Sequence, residues 1–428
     1  MLSKVAPRWG VRVCLAAAGL ILALALPLQA QMLPRPFNLP LPLFSSDSAW
    51  NQSAAGAQVL AQSDQQILAL YRVLLGDHSW LNPPGPWFET SWPFMDVNYD
   101  HYSIPIFGAG PDQQTVVLQD YLGQATTTNP KLPPGPGGSV TVPAPAGTVR
   151  PSGPQGLEAD GHLILYDSDS GLAYDFWQAT TALDESGASL GGGQTGSLIS
   201  MTGAVDYFDL AGNGANPATY FSARATGTPL LAGLILPEDV AQGAIGHALA
   251  FALPGPRNTN LADPYEPIAS DYFYPAATTA TDFYSTDPKA LAAGQRIRLK
   301  SQIVDQEGNV IDETGLKPIT RMFLAALRNY GAYLVDGAGG FSFYAEDIHT
   351  AVLDLSDDQV NQLVGQPAGA PLAEGKTKWQ MVMEGLNLDL ELIPLAAGPW
   401  QEGQDPASAT ISAANFEVVE PALGPDLE

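Results

Sequence analysis

Residues Gly161–Gln178 read GHLILYDSDSGLAYDFWQ, two alternating runs joined by the polar turn Ser168-Asp169-Ser170-Gly171. Period-two alternation around such a turn spells a β-hairpin. A symmetric turn sets Asp167 opposite Leu172, Tyr166 opposite Ala173, Leu165 opposite Tyr174, Ile164 opposite Asp175 and His162 opposite Trp177. Side chains alternate faces along a strand, so this register sorts them into two sets. Leu163, Leu165, Leu172, Tyr174 and Phe176 form an apolar face suited to a core. His162, Ile164, Tyr166, Asp175 and Trp177 form the other, which joins an imidazole, a carboxylate and an indole and reads as a ligand face.

Further strands obey the same logic. From Ile245 to Ala252, large residues (Ile245, His247, Leu249, Phe251) alternate with Gly246, Ala248, Ala250 and Ala252. The small side admits close packing, and His247 rides with the core side, either as a hydrogen-bonded core histidine or as an assistant to chemistry. Between Gln295 and Ile303, Arg296, Arg298 and Lys300 share one face. That face is either a solvated surface paired with acids or a seat for a ligand carboxylate. Tyr333–Asp336 and Phe341–Ala345 flank a glycine-rich turn, which leaves Asp336 at a strand end as a turn cap or a catalytic carboxylate.

Helices are expected over Asp64–Leu75, from Pro237 to about Gly243, over Lys317–Tyr330 with Gly331 as the stop, and briefly after Asp354. The chain beyond, through Trp379, Trp400 and Phe416–Val419, is expected to return strands. Together these elements predict a mainly β protein, a two-sheet sandwich of jelly-roll type with about three short helices and long loops.

At the N-terminus, Lys4, Arg8 and Arg12 precede an apolar run from Val11 to Leu26 and then Leu28-Gln29-Ala30. That order is a secretory signal peptide over residues 1–30, the alternative being an uncleaved anchor. Residues 31–156 read as an extended, aromatic-rich segment packed on a main β-sandwich domain, 157–428. The single cysteine, Cys14, falls inside the signal, so the mature chain relies on burial and not on disulfides. Basic residues number 18 against 44 acidic ones, a net charge of −26, which argues against nucleic-acid or anionic-membrane partners. No other apolar run is long enough to span a membrane, and the expected location is secreted or periplasmic.

Several catalytic engines are absent: there is no HExxH, no cysteine cluster, no GxSxG and no dinucleotide fingerprint. Asp167-Ser168-Asp169-Ser170-Gly171 resembles the start of a calcium loop without its distal glutamate, so calcium is at most structural and no other cofactor is expected. The inventory that remains, carboxylates and histidines among aromatics, suits acid/base work on a glycosidic bond. Asp175 and Asp336 are the candidate acid and base, assisted by His162 and His247. Trp177 and Tyr166 would stack on sugar, and Arg296, Arg298 and Lys300 would bind a charged group. The loop aromatics Trp80, Trp87, Phe88, Trp92, Phe94, Tyr99 and Tyr102 are either a second sugar platform or a layer over the core.

The expected function is a secreted carbohydrate-active enzyme acting on a polysaccharide or oligosaccharide, a glycoside hydrolase or else a polysaccharide lyase with a His or Tyr base. The alternative is a non-catalytic glycan-binding or envelope protein. The runs from His162 to Asp167 and from Tyr174 to Ala179, together with GTPLLAGLILPE from Gly227, His247-Ala248-Leu249, RIRLK from Arg296 and YGAYLVD from Tyr330, resemble a broad set of uncharacterised secreted bacterial proteins. The similarity spans Asp47 to Val419 and implies an extracellular or periplasmic β-rich protein.

Overall fold

The 161–178 stretch folds as its alternation requires. In the computed structural model, Leu163–Asp167 and Leu172–Phe176 pair antiparallel, with Ile164 opposite Asp175 and Asp167 opposite Leu172. The structure describes residues 35–422 except 80, 83–92, 118–138, 153–159, 183–188, 191–198, 202, 217–221, 261–269, 281–283 and 399–404. The expected signal peptide, the aromatics Trp80, Trp87, Phe88 and Trp92, Trp400 and most of the glycine-rich loop 187–196 lie outside the described residues. Contacts divide the chain into two units, 1–31 and 32–428, and the described residues all belong to the second.

Two principal sheets organise it. Their strands are β1 (Met95–Asn98), β2 (Ile106–Val117), β3 (Ser139–Pro145), β4 (Leu163–Asp167), β5 (Leu172–Phe176), β6 (Val205–Asp209), β7 (Leu249–Leu253), β8 (Arg296–Leu299), β9 (Ala332–Gly337), β10 (Phe341–Tyr344) and β11 (Phe416–Val419). The five-stranded sheet runs β6-β5-β4-β2-β3 and the six-stranded sheet β11-β8-β9-β7-β10-β1. Most neighbours are antiparallel, while β2/β4, β7/β9 and β10/β1 are parallel. The protein is thus mainly β and two-sheeted, with strands from residues 95–145 built into both sheets.

The helices are α1 (Ser63–Leu74), α2 (Pro237–Gln242), α3 (Pro318–Asn329), α4 (Asp357–Leu363) and α5 (Lys378–Leu390). The last departs from expectation, because Lys378–Leu390 lies where returning strand is expected. Its apolar residues Trp379, Val382, Met383, Leu386 and Leu390 recur at three- and four-residue steps, a helical stripe, and all are buried. Thr377 caps its start, accepting the Gln380 amide at 3.0 Å.

The six-stranded sheet buries both faces. Leu249, Phe251, Leu334, Phe341 and Phe343 meet α1, α3, α4 and α5 in the larger core. Ala248, Ala250, Ala252, Tyr333, Val335 and Tyr344 meet Ile106, Ile164, Tyr166 and Ala173 of the five-stranded sheet in a second core. The small side of β7 has a specific use there. Gly233, at φ +70°, approaches so closely that a Cβ would stand 2.3 Å from the Ala250 amide nitrogen. The other face of the hairpin, with Leu163, Leu165 and Phe176, enters a third core.

Candidate functional site

The inter-sheet layer carries an uncommon density of buried polar groups. On the hairpin side, Asp175 is fully buried and its Oδ2 accepts the Leu230 amide at 2.6 Å. Opposite it in the β5/β6 ladder stands Asp206, also fully buried, whose Oδ2 accepts from Asn216 Nδ2 at 2.7 Å. Sequence reasoning misses Asp206, although the alternation of Val205–Asp209 makes it legible as a strand residue facing Asp175.

Arg224 is buried from the loop between the sheets. Its Nη atoms donate to the carbonyls of Pro229, Leu230 and Ala232 at 2.8–3.1 Å, and its guanidinium lies 5.0 Å from the centre of the Tyr344 ring. Burial pulls the Arg224 pKa down, while Tyr344, Asp336 and Asp175 push it back up. Tyr344 is held well above the ordinary phenol value by burial first and then by Asp336, with Asp160 and Asp96 adding and Arg224 opposing. Asp175 and Asp336, from different sheets, therefore act on the same guanidinium.

Asp336 reaches this layer through a β-bulge. Along β9, Tyr333 and Val335 face the inter-sheet core and Ala332 and Leu334 the helices. Strict alternation would send Asp336 toward the helices. The β7/β9 register slips instead, pairing Phe251 with Leu334 and Ala252 with Asp336, so that Val335 is the extra residue. Bulges re-aim side chains in this way.

His162 joins the cluster with one nitrogen engaged. Its Nε2 donates to the Ala223 carbonyl at 3.3 Å, and the Asp160 carboxylate lies 4.0 Å from Nδ1, beyond hydrogen-bond reach. Burial lowers its pKa, Asp160 and the Ala223 bond raise it and Arg224 lowers it, for a net decrease that keeps the ring neutral. Nδ1 is then an acceptor. Among the described residues neither His162 Nδ1 nor Arg224 Nε has a hydrogen-bond partner, although both are buried. Trp177 lies partly buried at the margin, and Gln178 behind it adopts φ +55°, a conformation costly for a residue with a Cβ.

The remaining candidates are placed elsewhere. His247 is buried with both nitrogens engaged, Nε2 on Asp239 at 3.1 Å and Nδ1 on the Ala248 carbonyl at 2.9 Å. Arg296 donates to Tyr330 and Gln52 carbonyls, and Arg298 to Glu417 and the carbonyls of Ala54, Ala55 and Ala57. Both arginines thereby tie residues 52–57 to the sheet. Lys300 follows that strand half-buried, its amide donating to the Asn415 carbonyl at 2.9 Å. Tyr166 is buried against Phe37, ring centres 5.4 Å apart. In the hairpin turn, Asp167 accepts from the Asp169 amide and the Ser170 hydroxyl, which gives its carboxylate a turn-closing role. Among the described residues, no helix is long and apolar enough to cross a membrane.

No family model, curated protein or solved structure matches the chain. The site must therefore be read from its own chemistry.

A second polar group sits by a cavity of about 220 Å³ lined by Ile348, His349, Ala351, Val352, Leu353, Thr377, Lys378 and Trp379. His349 Nδ1 donates to Asp347 Oδ1 at 2.6 Å, Arg150 donates to His349 Nε2, and Ser103 donates to Asp347 Oδ2 at 2.6 Å. This chain ties three segments together.

Proposed function

We propose that the protein is a secreted carbohydrate-active enzyme that hydrolyses glycosidic bonds in the layer between its two sheets. The observation that carries this reading is the unpartnered pair on His162 and Arg224, one acceptor and one donor, both buried beside carboxylates. A hydroxyl, of water or of a sugar, is a group that answers both, since it donates one hydrogen and accepts in return. Trp177 at the margin supplies an apolar face for a sugar ring. The basic, apolar and small-residue order of residues 1–30 supports export.

Electrostatics favours a neutral substrate. Asp336 and Asp175 act on a single guanidinium, Arg224, and Asp336 and Asp160 on the Tyr344 phenol whose ring lies 5.0 Å from it. At roughly 6 Å and an effective dielectric of about 20, each ionised carboxylate costs an incoming uronate about 3 kcal/mol. One arginine does not offset three such terms, so hydrolysis of a neutral glycan is preferred to uronate elimination. In that reaction one carboxyl protonates the departing oxygen and a carboxylate activates water or attacks the sugar. Asp336, half-buried, is the carboxylate able to meet substrate. Asp175, fully buried beneath the Leu230 amide, positions the Arg224 loop.

The test is incubation of the mature protein with neutral and acidic polysaccharides, assayed for reducing ends and for unsaturated uronates. Reducing ends from a neutral glycan are expected, and Asp336→Asn should lower that rate at least about 100-fold with the fold retained. Unsaturated uronates would replace hydrolysis with elimination. The complete burial of Asp175 favours a second reading, glycan binding without cleavage, for which binding with no product is the signature.

A further inference from the structure

Past the Leu163/Phe176 pair the hairpin ladder breaks in a kink. The Gln178 amide donates to the Asp160 carbonyl at 2.8 Å and the Ala179 amide to the Gly161 carbonyl at 2.9 Å. Successive amides of a regular strand point to opposite sides, so two consecutive donors reaching one partner strand mark an interruption that re-aims the residues beside it. Gly161 at φ +60° and Gln178 at φ +55° both take the left-handed conformation there. Such backbone persists in a residue with a Cβ only where its surroundings over-determine it, and it gathers at ligand sites.

The residue this kink displays is Trp177, and Gly203, just ahead of β6, closes on it from the other flank. A Cβ at Gly203 would stand 2.5 Å from the Trp177 carbonyl oxygen and 2.6 Å from Cε3 of its indole. The Trp177 amide donates to the Ala204 carbonyl at 3.0 Å. The Trp177 main chain is thus held on both sides, and the benzene half of its ring lies against bare backbone. The ring packs on the inter-sheet core yet remains only partly buried. Asp160, bonded to the kink, keeps 44% of its side chain exposed, so this end of the layer is open. Asp160 and Asp336 both act on the Tyr344 phenol, which links the open end to the Asp336 side of the layer.

We propose that Gly203 is a positioning residue, which seats the Trp177 indole as a fixed platform for a neutral sugar ring at the mouth of the inter-sheet layer. The assignment rests on the carbohydrate reading. An aromatic ring already held in place loses little conformational freedom when a ligand stacks on it. Any side chain at 203 would drive the indole off its seat. The Asp160 carboxylate at the same mouth disfavours a uronate and leaves neutral pyranoses as the class that fits.

The experiment measures affinity of the mature protein for cellohexaose, maltohexaose, mannohexaose and xylohexaose by titration calorimetry. Wild type, Trp177→Ala, Gly203→Ala and the double variant are compared, with melting temperature as the check on folding. On the probe that binds, Trp177→Ala should weaken affinity about tenfold, and Gly203→Ala by a similar factor. Because Gly203 acts through the indole, the double variant should bind no more weakly than Trp177→Ala alone. Losses that multiply in the double variant overturn the positioning role. Should Gly203→Ala not fold, wild type decides: the probe should shift a tryptophan emission that Trp177→Phe lacks. An equal shift in Trp177→Phe overturns the platform, as does undiminished affinity in Trp177→Ala. In either case, reducing ends released by wild type leave the hydrolase reading standing. If no probe binds and none is cleaved, the carbohydrate reading falls first and takes the platform with it.

Discussion

Asp336 faces the inter-sheet layer because β9 carries one residue more than its partner, and single residues elsewhere have comparable weight. Arg35 is buried and bonds Glu346 through Nε and Nη2 at 2.8 and 3.0 Å, and Glu238 at 2.5 Å. Burial alone would pull the Arg35 pKa down, and the two glutamates more than reverse it. Removing one partner of a buried pair leaves the other charge without compensation, which costs about 3–5 kcal/mol. Arg35→Met should lose that much in urea unfolding, and adding Glu346→Gln should recover most of it. A double variant no better than the single would contradict this account.

His247 offers a pH test at the same scale. Burial lowers its pKa, but the Asp239 carboxylate and the Ala248 carbonyl outweigh burial, and the net shift is upward. A histidine raised on folding stabilises the native state fully below its unfolded value of about 6.5 and loses that contribution as pH rises through the folded value. Melting temperature should therefore fall as pH rises above about 6.5 in wild type and fall less in Asp239→Asn. Parallel curves for the two proteins would rule the linkage out.

Elements are legible where local signals agree. The hairpin register comes directly from alternation and one turn, and α3 from its apolar stripe with Pro318 at the start and Gly331 at the end. Gly331 adopts φ +70°, and a Cβ there would lie 2.4 Å from the Ile297 carbonyl oxygen. Gly331→Ala should accordingly destabilise by more than about 1 kcal/mol in thermal unfolding. Helix α5 escapes a local reading because Lys378–Leu390 contains short alternating stretches, and its four-residue spacing emerges only over the whole segment. Truncating its buried Leu386 to Ala should cost about 2–5 kcal/mol, whereas a solvent-exposed strand residue would cost far less.

At the scale of the molecule, sheet membership crosses the expected boundary near residue 156. Strand β1 forms an edge of the six-stranded sheet, and β2 lies between β3 and β4 in the five-stranded one. A fragment of residues 157–428 would expose the bonding edges of β4 and β10, so it should aggregate or show no cooperative unfolding in calorimetry. A soluble, cooperatively folded fragment would refute that.

Local order is written in the sequence itself where its signals agree: the 161–178 hairpin and its register, where α3 stops, which hairpin residues share a face, and that His162, Asp175 and Trp177 leave on the same side. These depend on spacing and turn chemistry, which act between near neighbours. Ladder order, the bulge at Val335, the burial of Arg224 and the seat of Trp177 on Gly203 were decided only by tertiary structure. Each joins residues far apart in the chain, and no local propensity specifies which strands become neighbours.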